Sequence, residues 1–172
     1  VAKVYVSIGS NINREHHIEA ALDALAEKFS SLDISSVYES EAVGFSGDHF
    51  YNLVAGFYTD MSVGELSACL RGIENENGRS RGQERFSGRT LDIDILTYDQ
   101  CVDTVDGITL PRAEVLENAF VLLPLAEIAP DGEHPVECRS FSALWKTYSK
   151  PQKLWAIDFI WRGKQISSSV SV

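Results

Sequence analysis

The alternation of apolar and polar positions divides the chain into short, regular elements. Val4, Val6 and Ile8 alternate with Tyr5 and Ser7, which predicts a first strand ending at the turn signal Gly9-Ser10-Asn11. Ile18, Ala21, Leu22, Leu25 and Phe29 then recur at helical spacing. A second strand is expected over Ile34 to Glu39, and a polar stretch from Ser40 to Asp48 is too long for a tight hairpin. Phe50 to Thr59 reads as a third strand, with Asn52 near its start and in need of hydrogen-bond partners if buried. Ser62 and Glu65 form a capping box for a helix carrying Leu66, Cys69, Leu70 and Ile73, which Asn77-Gly78 should end. Leu91, Ile93 and Ile95 alternate with Thr90, Asp92 and Asp94, giving a further strand that runs on to Leu96. A turn at Tyr98-Asp99, a short strand, the Asp106-Gly107 turn and Ile108-Thr109-Leu110 follow, and Pro111 is placed to open a helical surface continuing past Pro124. Phe141, Leu144 and Trp145 suggest a short helix. Leu154 to Trp161 fits either a strand or an irregular apolar segment, and the Ser-rich end from Ile166 to Val172 is expected to be frayed.

The order strand, helix, strand, strand, helix, strand is that of a ferredoxin-like, mostly antiparallel sheet. With the later helices on its other face, the expected fold is an α+β, three-layer α/β/α sandwich.

Candidate chemistry concentrates around Arg89 to Ile95. On a strand, residues two apart share a face and lie roughly 6.5–7 Å from each other, so Asp92 and Asp94 can lean toward one hard cation or two. Magnesium suits such a pair, because it takes a few carboxylate oxygens and accepts phosphate oxygens and water for the rest. Four of the nine arginines, Arg79, Arg81, Arg85 and Arg89, fall just upstream in a Gly- and Ser-containing stretch without apolar periodicity, which reads as a mobile loop. Guanidinium groups match phosphate oxygens bidentately, so cationic loop and acidic strand together describe a polyphosphate site. The bland alternative, solvated aspartates and surface ion pairs, would contribute little.

The net charge of −10, from 25 acidic and 15 basic residues in 172, disfavours nucleic acid and anionic membrane surfaces as partners and favours small-molecule chemistry. It argues in particular against a sheet-based RNA-binding module, which would display aromatics on a basic face. No apolar run approaches the roughly 20 residues of a membrane span, and the first residues have a strand pattern without signal-peptide layout, so a cytoplasmic location is expected. Cys69, Cys101 and Cys138 form no Cys-x-x-Cys pair and are expected to be buried or half-buried thiols. His16, His17, His49 and His134 lack metal-ligand spacing and are expected to be structural or surface residues.

Gly9-Ser10-Asn11, Asn52, the run from Glu74 to Arg81, Arg89-Thr90-Leu91-Asp92-Ile93-Asp94-Ile95, Pro111 and Pro124 to Pro130 together resemble the 6-hydroxymethyl-7,8-dihydropterin pyrophosphokinase family of folate biosynthesis. The resemblance runs in order from about Val4 to Pro130, and its Arg-Thr-Leu-Asp-x-Asp core is the specific part. It implies transfer of the terminal diphosphate of ATP to the pterin hydroxymethyl group, with release of AMP, two magnesium ions and no covalent intermediate. By position it implies Asp92 and Asp94 as metal ligands and Arg79 and Arg89 as catalytic loop arginines. Glu74, Arg81 and Thr109 would lie on the ATP side. Val43, Gly44, Phe50, Asn52 and Phe120 would form the pterin pocket, Asn52 by hydrogen bonds and Phe120 by stacking. Phe50 stands where the family commonly has Tyr.

Several positions depart from the family pattern. Phe86-Ser87-Gly88 replaces Trp-Gly-Pro, and Arg112, Ala113 and Asn118 replace a His, a Tyr and an Arg that serve ATP. Arg112 is the candidate for recovering lost positive charge there. These changes keep open an alternative, a paralogue that binds a pterin or nucleotide without turnover. Residues 1–150 are expected to form one pyrophosphokinase-like domain, with 151–172 as an extension that has no counterpart in the resemblance.

Overall fold

The computed structural model describes residues 1–41, 49–78 and 90–169. Strand β1 (Ala2–Ser10) occupies the middle of the main sheet, where its alternating side chains feed both faces. It pairs antiparallel with β4 (Phe50–Thr59) on one side and β5 (Asp92–Tyr98) on the other. Beyond β4 come β2 (Asp33–Ile34) and β3 (Tyr38–Ser40), and β8 (Leu154–Ala156) closes that side by pairing antiparallel with β3. Along the described path the order is β5-β1-β4-β3-β8.

Helix α1 (Arg14–Phe29) and helix α2 (Val63–Glu76) cover one face. Ile18, Leu22 and Leu25 of α1 and Leu66, Leu70 and Ile73 of α2 pack with Val4, Val6, Ile8 and Ile93 in a single cluster. Fully burying such side chains stabilises the fold by roughly 1.5–3 kcal/mol apiece. The capping box expected at Ser62 is formed, with Ser62 and Glu65 each bonding the other's backbone N–H. On the opposite face, α4 (Ala119–Ile128) and α5 (Phe141–Lys146) pack Leu122, Leu125 and Phe141 against Val54 and Leu96. The expected three-layer sandwich is therefore the observed one. Leu96 joins the α4 side by ordinary alternation from Ile93 and Ile95, and a bulge opposite Tyr5/Val6 then resets the period so that Tyr98 packs on the α1/α2 side.

The differences from expectation have long-range causes. Ile34 to Glu39 is two strands, because the chain leaves β4 after Ser35: Val37 N–H donates to Ser167 Oγ (2.9 Å) and Val37 O accepts from Ile157 N–H (3.0 Å). Ile166 and Ser167, expected to be frayed, belong to β10 (Lys164–Ser167), which pairs with β9 (Phe159–Trp161). Gly9 and Ser10 continue β1 instead of turning. The helix expected from Pro111 begins later, as α3 (Glu114–Glu117), since Arg112 N–H donates to Leu96 O (2.9 Å) and keeps the chain beside β5. The short pair β6 (Asp103–Val105) and β7 (Ile108–Leu110) brackets the Asp106-Gly107 turn as anticipated. Cys69 and Cys101 are half-buried, whereas Cys138 is exposed. Among the described residues, no helix is long and apolar enough to cross a membrane.

Candidate active site

β5 is an edge strand among the described residues, so Ile93 turns its N–H and C=O away from β1 and needs other partners. The last turns of α2 supply them. Glu74 Oε2 accepts from Ile93 N–H (2.7 Å), and an Arg71 guanidinium nitrogen donates to Ile93 O in a short contact. Arg71 Nε lies 3.1 Å from Glu74 Oε1, joining the two side chains at helical i,i+3 spacing. Glu74 has no exposed surface, so it is not the solvated carboxylate that its place in the last turn of a helix would suggest. Its carboxylate faces the strand that carries the aspartates rather than open solvent.

Asp92 and Asp94 are half-buried and project from β5 on the face opposite Ile93 and Ile95. Two guanidiniums flank Asp94: Arg71 lies 3.6 Å from Oδ1 and Arg112 lies 3.7 Å from Oδ2. Arg112 also makes a short ion pair with Glu114. Among the described residues there is no group of three or more His, Cys, Asp or Glu that could hold a metal ion. The aspartates therefore offer a two-carboxylate, hard-oxygen set that suits a cation able to take its remaining ligands from phosphate and water.

The register of the sheet ties this edge to the rest of the site. Asp92 pairs with Gly9, Gly9 with Asn52 and Asn52 with Tyr38, so these residues form one row across four strands and face the same side. At about 5 Å per strand, the Asp92 and Asn52 backbones stand roughly 10 Å apart. Between them Gly9 contributes no side chain. A Cβ at Gly9 would meet Asn52 Oδ1 at 3.1 Å and Phe50 Cδ1 at 3.8 Å. Asn52 is 7% exposed and donates from Nδ2 to Ser40 Oγ (2.7 Å), which fixes the direction of its amide. Tyr38, which pairs onward with Ala156 of β8, donates from its hydroxyl to Glu127 Oε1 (2.8 Å). Burial first, then this bond, pushes its pKa up, so the phenol stays protonated and fastens β3 to α4.

Phe120, one residue into α4, lines a cavity of about 440 Å³ with Ser40, Glu41 and the segment Gln152–Leu154. Thr109 is exposed on β7, and its hydroxyl pairs with that of Thr104 (3.0 Å). Val43, Gly44, Arg79, Arg81 and Arg89 lie outside the described residues. The fold thus brings Asp92, Asp94, Glu74 and Arg112 together on one edge and holds Phe50 and Asn52 on β4, across β1 from that edge. It adds Arg71, Gly9, Ser40 and Gln152, which motif spacing did not single out as site residues. Of these, Gly9 belonged to the Gly9-Ser10-Asn11 motif, and Arg71 had a local signal in its three-residue spacing from Glu74 on a helix that feeds the arginine-rich stretch.

The model of the family described as 7,8-dihydro-6-hydroxymethylpterin-pyrophosphokinase matches residues 5–130. The chain belongs to this family. Members of the pterin pyrophosphokinase family are ATP-dependent diphosphotransferases. The 2-amino-4-hydroxy-6-hydroxymethyldihydropteridine pyrophosphokinase of Haemophilus influenzae is 37% identical over 131 residues, covering 74% of this chain and 81% of that protein. The folic acid synthesis protein fol1 of Pneumocystis carinii is 31% identical over 169 residues, covering 96% of this chain but 23% of that much longer protein. Its match therefore reaches beyond the segment covered by the family model. Among solved structures, the Plasmodium falciparum HPPK-DHPS triple mutant with SDX-DHP superposes with a TM-score of 0.71 at 12% identity. That match covers 96% of this chain and 46% of the other, and at such identity it speaks to the fold alone.

Proposed function

We propose that the chain transfers a diphosphate group from ATP to 6-hydroxymethyl-7,8-dihydropterin, releasing AMP and the pterin diphosphate. The observation that supports this most is the row Asp92, Gly9, Asn52, in which carboxylates for a phosphate-bound cation and an amide for a heterocycle edge share one sheet face roughly 10 Å apart. A flat pterin lying against Phe120, with its edge on Asn52, would direct its hydroxymethyl group over Gly9 toward Asp92. The hydroxyl oxygen would then attack the β-phosphorus of ATP while the bond from that phosphorus to the α,β-bridging oxygen breaks. AMP leaves, and the hydroxyl proton passes to a phosphate oxygen or to water.

In this reading Asp92 and Asp94 hold two magnesium ions, which when bound neutralise the developing phosphate charge. The protein's own contribution is largely positioning. Glu74 and Arg71 fix β5, and with it both carboxylates, by closing the outward backbone groups of Ile93. Arg112 and Arg71 already border Asp94 and are placed to contact the ATP phosphates once that carboxylate engages a cation. Arg79, Arg81 and Arg89 are assigned to the phosphates, Thr109 to the nucleotide, and Val43, Gly44 and Phe50 to the pterin pocket. The test is pterin-dependent release of AMP from ATP and magnesium.

A second reading is motivated by Arg112, whose guanidinium is engaged by Asp94 and Glu114 where the family pattern has a His. If that engagement persists with nucleotide bound, the chain binds pterin without turnover, and calorimetry would detect the pterin while no AMP forms.

The gap at Gly9 gives a separate expectation. In Gly9→Val the strand propensity improves, but the new side chain occupies the space between Asp92 and Asn52. A Cβ there lies 3.1 Å from Asn52 Oδ1 and pushes aside the amide assigned to the pterin edge, so with about one hydrogen bond lost the pterin affinity should fall about tenfold. Calorimetric titration checks this, and an unchanged affinity would remove Gly9 from the site.

A further inference from the structure

Helices α3 and α4 are separated at Asn118, whose backbone is extended (φ −114°, ψ 123°). A continuous helix would direct Ala119 N–H to the carbonyl four residues earlier. Instead, Ala119 N–H donates to Gln152 Oε1 (2.7 Å), and Gln152 Nε2 donates to Glu117 O at 3.4 Å. Asn118 makes no side-chain cap for α4, so a glutamine 33 residues downstream satisfies the first donor of that helix. Tyr148 Oη donates to Glu117 O (2.7 Å), which anchors the same junction a second time. Phe120 is the next residue after this capped N–H.

The same segment reaches the other half of the pocket. Two residues beyond Gln152, Leu154 pairs with Ser40 in the β3–β8 ladder, and Ser40 Oγ accepts from Asn52. Residues 152–154 are thus bonded to the neighbour of the aromatic at one end and to the partner of the amide at the other. They also line the cavity of about 440 Å³ between them, a volume within the ordinary range for a small-ligand site.

We propose that the segment Gln152–Leu154 is a wall of the pterin subsite and that Gln152 is a positioning residue, setting the place of Phe120 through the Ala119 N–H. This rests on the functional reading above and extends it to residues beyond the part of the chain that the family model matches. The acceptor oxygen is what matters, because the donor it serves belongs to the backbone.

The test compares Gln152→Leu, which keeps the bulk and loses the acceptor, with Gln152→Glu, which keeps an acceptor oxygen. Calorimetry with 6-hydroxymethylpterin, steady-state KM for each substrate and thermal melting are measured on the full chain. One hydrogen bond is involved, so Gln152→Leu should raise the pterin Kd and KM about five- to tenfold, leave the ATP KM within about twofold, and be rescued by Gln152→Glu. Pterin binding by Gln152→Leu at the wild-type level, or a Gln152→Glu variant as impaired as the leucine, overturns the inference while leaving the functional reading intact. An equal loss for both substrates also overturns it, since that marks a structural role. A wild-type chain that binds no pterin overturns the functional reading, and this inference with it.

Discussion

Asp94→Asn should lower turnover on the order of a thousandfold or more while leaving the fold unchanged, and Asp92→Asn should do the same. Both side chains are half-buried on β5, and asparagine has nearly the same shape, so packing is preserved. What is lost is the negative charge that would hold a hard cation against phosphate. The ion pairs of Asp94 with Arg71 and Arg112, at 3.6 and 3.7 Å and partly exposed, contribute little to stability, so the melting temperature should barely move. Rates of AMP formation at saturating magnesium, with circular dichroism melts alongside, measure both quantities. Turnover within tenfold of wild type in both variants would show that the aspartates are ordinary solvated residues.

Glu74→Ala should be the most destabilising single change near the site. It strands the Ile93 N–H at the sheet edge, leaves a space beneath β5 and releases Arg71 from its carboxylate partner. An unsatisfied buried donor costs about 1–3 kcal/mol, and the lost side-chain volume adds to it. Because Arg71 is 44% exposed and can turn to water, the penalty of a fully buried ion pair does not apply. A total of about 2–3 kcal/mol corresponds to a fall of roughly 4–12 °C in Tm for a chain of this size. Glu74→Gln keeps an acceptor for Ile93 and should lose less than half as much. Equal melting temperatures for the wild type and the alanine variant would show that Glu74 does not hold the strand.

The sequence made legible whatever depends on neighbours along the chain. The period-two run through Asp92 and Asp94, the Ser62 capping box and the β4 boundaries at Phe50 and Thr59 were all readable, and with them the layer order. What it hid were contacts between distant residues. Nothing local distinguishes Ser167 from the other serines near the C-terminus, yet its burial against Val37 and Ile157 makes β10 part of the fold and divides β2 from β3. Gln152 is an unremarkable polar residue until its partner, the N–H of Ala119, is known. Glu74 carries a local signature of exposure, a carboxylate in the last turn of a helix, and tertiary structure overrides it by setting an edge strand against that turn. In the candidate site the aspartates and Asn52 came from motif, whereas the empty lane between them at Gly9 came from strand register alone.

In the proposed function the two-aspartate edge and the Asn52 pocket act on one pair of substrates, passing a diphosphate between them. Phosphorus NMR of the full chain with ATP, magnesium and 6-hydroxymethyl-7,8-dihydropterin tests it most directly, since it identifies the phosphorus species formed. AMP and a new pterin diphosphate should appear in equal amounts, only when pterin is present, and neither with Asp94→Asn. ADP as the nucleotide product, or AMP formed without pterin, would contradict it.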